Sequence, residues 1–336
     1  MTTALIDADI VAYRAAAKTM SDFDGELVGD PRAAIAQSEI ILESWMRHVK
    51  PLNIIMCWSC ETRKYFRHDI WPDYKGNRKG ERPPCLPEVT AYLKDKYRSV
   101  IYRGLEADDV LGILGQSTTL VNPIAVSIDK DMQTLPIKSF NPDKMVRPLR
   151  MSVGMADRLM FTQALTGDST DNYKGAKLVG PVKAAKILDA CRPSDMWSGV
   201  RQAFLDAGHD ETYAITMVRL ARILRADDYN ENGDVRLWSP TTTTTQWMTP
   251  SALNTISSTM VSKPSTTSSP SVPNLTETKQ PSLPTSSNMS AATEAKALPS
   301  ETSKKQHGIS KGSNKKSTKK KSKTTDKRRM SDADQS

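Results

Sequence analysis

The sequence predicts an α/β fold, a mostly parallel sheet with helices on its faces, followed by a helical lobe. Three observations carry that expectation. Short apolar runs alternate with helix-period segments over the first third or so of the chain. Two of those runs end directly in an aspartate. From residue 154 to about residue 225 the pattern is helical throughout.

Each element has a local reason. Residues 3–7 (TALID) are a short buried-strand run ending in Asp7, and residues 9–18 follow as a helix with an aspartate, Asp9, as its cap. Residues 31–49 keep helical spacing behind an opening proline, and residues 52–58 form a second apolar strand. Residues 87–97 are expected to be helical and residues 99–103 a brief strand. Residues 105–114 are a helix with acids in its first turn, where the helix dipole favours them. Residues 123–128 form another strand, followed at once by Asp129. In parallel sheets, ligands sit beyond the carboxyl ends of the strands, so topology alone would bring Asp7 and Asp129 together.

Composition changes sharply near residue 240. Beyond it the chain is Ser, Thr, Pro and Lys with few apolar residues, and such a segment cannot bury enough surface to offset its ordering entropy. The expected organisation is therefore an α/β domain over 1–153, a helical lobe over 154–240 and a disordered tail over 241–336. The tail holds 15 Lys and Arg against 6 Asp and Glu, whereas the first 240 residues carry 32 of each, so the net charge of +9 belongs to the tail. Its basic run over 304–329 suits a non-specific polyanion contact or simple solvation, and the sequence leaves both open. No apolar stretch is long enough to span a bilayer, and the N-terminus has no secretory pattern, so a cytoplasmic place is expected. Four cysteines are too few for a disulfide framework. Cys57 and Cys60 form a CxxC without a second pair, which reads better as small apolar residues at a strand end than as a zinc site.

Eight acids carry the chemistry: Asp7, then Glu106, Asp108 and Asp109 in GLEADDVLG, Asp129 and Asp131 in SIDKDMQTL, and Asp168 and Asp171 in TGDSTDN. Each pair alone is an ordinary solvated motif; their positions just after strands and at helix ends are what single them out. If they converge, cations must neutralise them. Oxygen donors without His or Cys point to Mg²⁺, two ions in all, with Mn²⁺ as a substitute.

Two basic features suit a polyanionic substrate. In WPDYKGNRKGER, the bases Lys75, Arg78, Lys79 and Arg82 share one stripe if the segment is helical, with Tyr74 beside them for a stacked base. Gly175 and Gly180, followed by Pro181, Lys183 and Lys186, describe a helix–turn–helix hairpin. Its backbone N–H groups offer a phosphate seat, or the hairpin is a plain packing element.

Taken together, LIDADIVAYR, YKGNRK, LEADDVLG, IDKDMQTL, GDSTDNYKG and ARILRADDYN resemble the flap-endonuclease and 5′–3′ exonuclease superfamily, nearest to the exonucleases of short-tailed bacteriophages. The resemblance spans roughly residues 4–240. It implies a PIN-like sheet, a helical arch over about 62–98, a helix–three-turn–helix DNA hairpin and 5′-end-directed hydrolysis of duplex, flap or branched DNA. RNA·DNA hybrids are a further substrate class, and DNA replication, primer removal or host DNA degradation the implied settings, in a bacterial host cell if the chain is phage-encoded. Carried over by motif, Asp7, Glu106, Asp108 and Asp109 form one metal group, and Asp129, Asp131, Asp168 and Asp171 a second. Lys75 and Arg78 face the scissile phosphate, and Arg14 matches a phosphate-contacting arginine. The sequence departs from the pattern after the second strand, where Trp58-Ser59-Cys60-Glu61 stands in place of an expected aspartate ahead of Phe66-Arg67; either one carboxylate is missing or Glu61 supplies it.

Two rival readings use the same motifs. In a haloacid-dehalogenase-like phosphatase, Asp7 would be a covalent nucleophile and Asp9 its general acid, but nothing there requires LEADDVLG, the basic stripe or the glycine hairpin. A catalytically silent, structure-specific DNA-binding protein would keep the fold without the chemistry, though it has little use for eight clustered acids.

Overall fold

The computed structural model describes residues 1–240 and the backbone of Trp247–Met248 and Met260–Val261. The expectations of disorder and polyanion binding for the rest of the 241–336 tail lie outside the described residues. Residues 1–240 lie within one compact unit.

In chain order, the sheet-forming part runs β1 (Thr3–Asp7), α1 (Ala8–Thr19), β2 (Met20–Phe23), β3 (Glu26–Gly29), α2 (Pro31–Val49), β4 (Asn53–Trp58), α3 (Phe66–Ile70), α4 (Leu86–Lys96), β5 (Arg98–Ile101), α5 (Ala107–Leu114), β6 (Pro123–Val126), β7 (Lys138–Phe140) and β8 (Leu149–Arg150). There follow α6 (Val153–Thr166), β9 (Gly167–Asp168), β10 (Tyr173–Lys174), α7 (Pro181–Asp189), α8 (Met196–Asp206), α9 (Glu211–Ala221), β11 (Val235–Arg236), β12 (Trp247–Met248) and β13 (Met260–Val261). The main sheet has the order β13-β5-β4-β1-β6-β7-β8, parallel through its five inner strands and antiparallel at both edges. The mostly parallel α/β architecture is as expected.

The alternation of side chains along the strands separates two cores. Ala4 and Ile6 of β1, Met56 and Trp58 of β4, and Ile124 and Val126 of β6 pack with α1, α2 and α4 on one face. Leu5, Ile55, Cys57 and Ala125 pack with Val110, Leu111 and Leu114 of α5 on the other. Strands covered on both faces read as unbroken apolar runs, which is why 3–7 and 123–126 were legible. A third core lies within the helical lobe, built from α6 to α9 around Met160, Leu188, Phe204 and Met217. Cys57, Cys60 and Cys85 are buried and all four cysteines are free thiols. Among the described residues no helix is long and apolar enough to cross a membrane.

Several local expectations change. Asp7, not Asp9, caps α1: its side chain accepts from the Ile10 N–H at 3.3 Å, while Asp9 accepts from the Ser59 N–H at 3.0 Å. The 74–82 segment is a series of turns rather than a helix, with Lys75 at φ 57°. Proline at 72, 83 and 84 and glycine at 76 and 80 leave no room for an uninterrupted helix. The lobe, expected to be all helix, contains the small antiparallel pair β9–β10, and the β2–β3 hairpin turns at Asp24-Gly25, both at positive φ.

Candidate active site

The carboxyl ends of β1 and β6 place Asp7 and Asp129 side by side, joined through Ser127. The Ser127 hydroxyl donates to Asp7 Oδ2 at 2.8 Å and accepts from the Asp129 N–H at 3.1 Å. Asp7 is 2% exposed; burial, and then Asp9 and Asp129 nearby, push it up to about 7. Asp108, in the first turn of α5, is raised well above the carboxylate range by burial and by the charges of Asp7 and Asp129. Asp131 is pushed up to about 6 by burial and Asp129. Asp131 and Asp168 share one donor, Gln163 Nε2, at 3.0 and 3.3 Å.

The other acids meet cations. Glu106, the N-cap of α5, receives the Lys75 ammonium and Arg67 Nη1 (3.0 Å), and the Tyr74 hydroxyl lies 2.9 Å from both Glu106 Oε2 and Asp171 Oδ2. Burial alone would raise Glu106, but Lys75 and Arg67 outweigh it and hold it at about 2. Asp171 faces Arg78 at 2.8 Å and Lys75 at 3.6 Å.

Asp109 departs from its expected role. Completely buried, it forms a bidentate pair with Arg67 at 2.7 and 2.8 Å and accepts from the Glu106 and Leu224 N–H groups at 3.2 and 3.0 Å. Four hydrogen bonds saturate the carboxylate, so it braces the start of α5 and leaves no free lone pair for a metal.

The basic segment is drawn onto the acid loop. The Lys75 N–H donates to the Asp171 carbonyl (3.0 Å), Asn77 Nδ2 to the Ser169 carbonyl (2.6 Å) and Asn172 Nδ2 to the Asp73 carbonyl (2.8 Å). Lys75 and Arg78 thus stand at the acids, while Lys79 and Arg82 are exposed beyond the irregular turn and share no helical stripe. Tyr74 is 3% exposed, so the ring expected to stack on a base is instead a buried strut. Arg14 pairs with Asp143 at 2.9 Å, seven residues or about 10 Å along α1 from Asp7. Glu61 pairs with Lys94 at 2.8 Å and is exposed, apart from the Asp7–Asp129 pair.

The Gly175–Gly180 segment is a turn between β10 and α7, with the short β9–β10 pair rather than a helix directly before it. Gly175 packs so closely that a Cβ would overlap the Leu165 carbonyl, and Gly180 caps α7 ahead of Pro181. Lys183 and Lys186 are exposed on α7.

Three functional candidates escaped the sequence reading. Arg67 is 3% exposed and adds bonds to the Leu220 and Arg222 carbonyls (3.3 and 2.7 Å), tying α3, α5 and the end of α9 together. Its Phe66-Arg67 pair was visible, but nothing local revealed partners 39 to 155 residues away. Ser127 and Gln163 carried no signal beyond their nearness to acids. Gln163 Oε1 is a buried acceptor with no partner among the described residues, on the amide whose Nε2 donates to Asp131 and Asp168.

The donors fit a hard divalent cation in kind, being carboxylates plus that orphaned amide oxygen, with uncompensated charge on the Asp7, Asp108 and Asp129 side. As they stand, no three His, Cys, Asp or Glu side chains among the described residues are grouped tightly enough to hold an ion. Mutual repulsion favours that spacing until a cation is supplied.

Residues 2–152 match the family of 5′–3′ exonuclease N-terminal, resolvase-like domains. Proteins similar to this chain come from both bacteria and phage. The exodeoxyribonuclease of enterobacteria phage T3 is 25% identical over 206 residues, covering 50% of this chain and 68% of that protein. A flap endonuclease of Shewanella sp. (strain ANA-3) is 31% identical over 156 residues, 42% of this chain and 59% of the relative. DNA polymerase I of Lactococcus lactis (strain IL1403) is 26% identical over 210 residues, 55% of this chain. The chain spans only 23% of the length of that polymerase. Among solved structures, the bacteriophage T5 flap endonuclease in complex with DNA and metal ions has a TM-score of 0.49 at 15% identity, covering 66% of this chain and 89% of that one.

Proposed function

We propose that the chain is a divalent-metal-dependent 5′–3′ nuclease that hydrolyses DNA phosphodiester bonds at 5′ ends, flaps or branches, with two Mg²⁺ ions and Mn²⁺ as a substitute. The observation that carries this reading is the set of acids Asp7 and Asp129 at strand ends and Asp108 in the first turn of α5, none of them ion-paired with Lys or Arg among the described residues, beside a basic segment whose Lys75 and Arg78 reach Glu106 and Asp171. Glu106, Asp7, Asp108 and Asp129 would hold one ion, and Asp131, Asp168 and Asp171 with Gln163 the other. When bound, such ions lower the pKa of a water and stabilise the departing 3′-oxygen.

The chain's own residues do the rest. Lys75 and Arg78 trade their acidic partners for the phosphate oxygens and compensate the charge that develops there. Asp109, through Arg67, fixes the start of α5, so that Glu106 and Asp108 keep their direction. Exposed Lys79, Arg82, Lys183 and Lys186 bind the backbone further along the duplex. The cytoplasm is the proposed place of action, in keeping with buried unpaired thiols.

The phosphatase reading loses its nucleophile, because Asp7 is 2% exposed and both its oxygens are hydrogen-bonded. Cleavage of 5′-labelled duplex, flap and RNA·DNA hybrid substrates, with Mg²⁺ or with EDTA, tests the proposal. Mg²⁺-dependent release of short 5′ products is expected. Binding without cleavage would instead favour the silent DNA-binding protein, the reading that Lys75 seated on Glu106 supports.

A further inference from the structure

One buried hydroxyl beside the acids is left over by the fold. Tyr173 of β10 is 3% exposed, and its hydroxyl has no hydrogen-bond partner among the described residues. A buried polar group left unpaired is destabilising, so one that a fold retains calls for a partner from outside the chain. The β9–β10 pair sets its place. Tyr173 stands directly opposite Asp168, and in an antiparallel pair two such side chains share one face, about 5 Å apart at Cβ. The charges that act on the hydroxyl are those of Asp168, Asp171 and Asp131 and, more weakly, Arg67. Tyr74, the other buried tyrosine at these acids, is satisfied, with its hydroxyl 2.9 Å from both Glu106 Oε2 and Asp171 Oδ2. Gln163 Oε1 is a second buried acceptor without a partner, on the amide that donates to Asp131 and Asp168. Two neutral oxygens without partners therefore belong to side chains that border Asp168.

We infer that the Tyr173 hydroxyl is a hydrogen-bonding contact for the water shell of a divalent cation taken up by Asp131, Asp168 and Asp171, and so a residue that favours a partly hydrated ion there. The inference rests on the nuclease reading and deepens it, since it gives one of the two proposed ions a neutral outer contact. Mg²⁺ sheds water reluctantly and keeps several waters where carboxylates hold it. Those waters need acceptors, and a phenol oxygen accepts while its own proton is donated to a carboxylate. Being neutral, the hydroxyl does this without adding a charge to acids that already repel one another. Outer contacts of this kind typically change metal affinity by about 10–100-fold.

The hydroxyl can be removed with the ring left in place. The test titrates Mg²⁺ by calorimetry into the metal-free full chain for the parental protein, Tyr173→Phe and Tyr229→Phe, together with the melting temperature of each in EDTA. Tyr229 is the control, a second buried hydroxyl without a partner among the described residues, whose charged neighbours are Asp234 and Arg103 instead. Tyr173→Phe is expected to melt at or above the parental temperature and to bind one Mg²⁺ about tenfold more weakly, while Tyr229→Phe binds as the parent does. Parental Mg²⁺ affinity in Tyr173→Phe would leave the hydroxyl to an ordinary buried water and overturn the inference, with the nuclease reading intact. A lower melting temperature of Tyr173→Phe in EDTA, or an equal loss of affinity in Tyr229→Phe, would make the hydroxyl a structural group and overturn it as well. A parental chain that binds no Mg²⁺ removes both readings.

Discussion

Glu106 and Asp7 are both buried carboxylates beyond the strand ends of one sheet, yet Glu106 is held at about 2 while Asp7 is pushed up to about 7. The difference lies in their neighbours. Glu106 sits against Lys75 and Arg67; Asp7 has Ser127, a backbone N–H and other acids. One side of the cluster is matched by the protein's own cations; on the other, burial and neighbouring acids favour the protonated forms of Asp7 and Asp108. Added cation should therefore act first on the Asp7, Asp108 and Asp129 side, and the Lys75–Glu106 contact marks what must rearrange when substrate arrives.

The contrast can be broken most severely at the uncompensated acids. Asp129→Ala should lower Mg²⁺-dependent cleavage by about a thousandfold or more, while the melting temperature in EDTA holds or rises, because a repulsive charge is removed. Cleavage near the parental rate would place the chemistry elsewhere. On the compensated side the balance reverses. Arg67→Met leaves Asp109 and Glu106 buried without their partner and should cost about 3–5 kcal/mol in denaturant unfolding. A loss below about 1 kcal/mol would show that Arg67 is no brace.

Acidity separates the two sides again. Asp7 and Asp131 titrate at about 7 and about 6 in the fold, against 3.8 ordinarily. The metal-free fold therefore retains protons that the unfolded chain has lost, and their stabilising contribution is full below about pH 4 and gone above about pH 7. Glu106 works in the opposite sense, contributing above its ordinary 4.5 and failing as the pH drops through about 2. Melting temperatures in EDTA should fall between about pH 4 and 7, and a flat profile would contradict the burial of Asp7. The smallest effect is expected from Glu61→Gln, whose exposed pair with Lys94 is worth no more than about 1 kcal/mol. Its cleavage rate should match the parental one; a tenfold loss would mean that Glu61 does reach the metal side.

The sheet was legible because buried parallel strands read as apolar runs, and the carboxyl ends of those strands gave Asp7 and Asp129 a common address before any coordinates. What failed to show was long-range pairing. Asp109 looks like its neighbour Asp108 in sequence, and only Arg67, 42 residues away, makes one a brace while the other has no ion-pair partner among the described residues. The 74–82 stripe had the spacing of a helix, but its prolines and glycines outweighed that spacing, and Tyr74 turned inward to the acids. The Asp-Gly pair at 24–25 is an ordinary hairpin signal, and both residues take the positive φ that the β2–β3 turn needs.

Calorimetric titration of Mg²⁺ into the metal-free protein at about pH 6.5, in buffers of differing ionisation enthalpy, tests the central claim most directly, because ions entering an acid cluster that holds protons must displace them. The account predicts binding with net proton release that shrinks as the pH is raised toward about 8.5. Binding without proton release, or no binding at all, would contradict it.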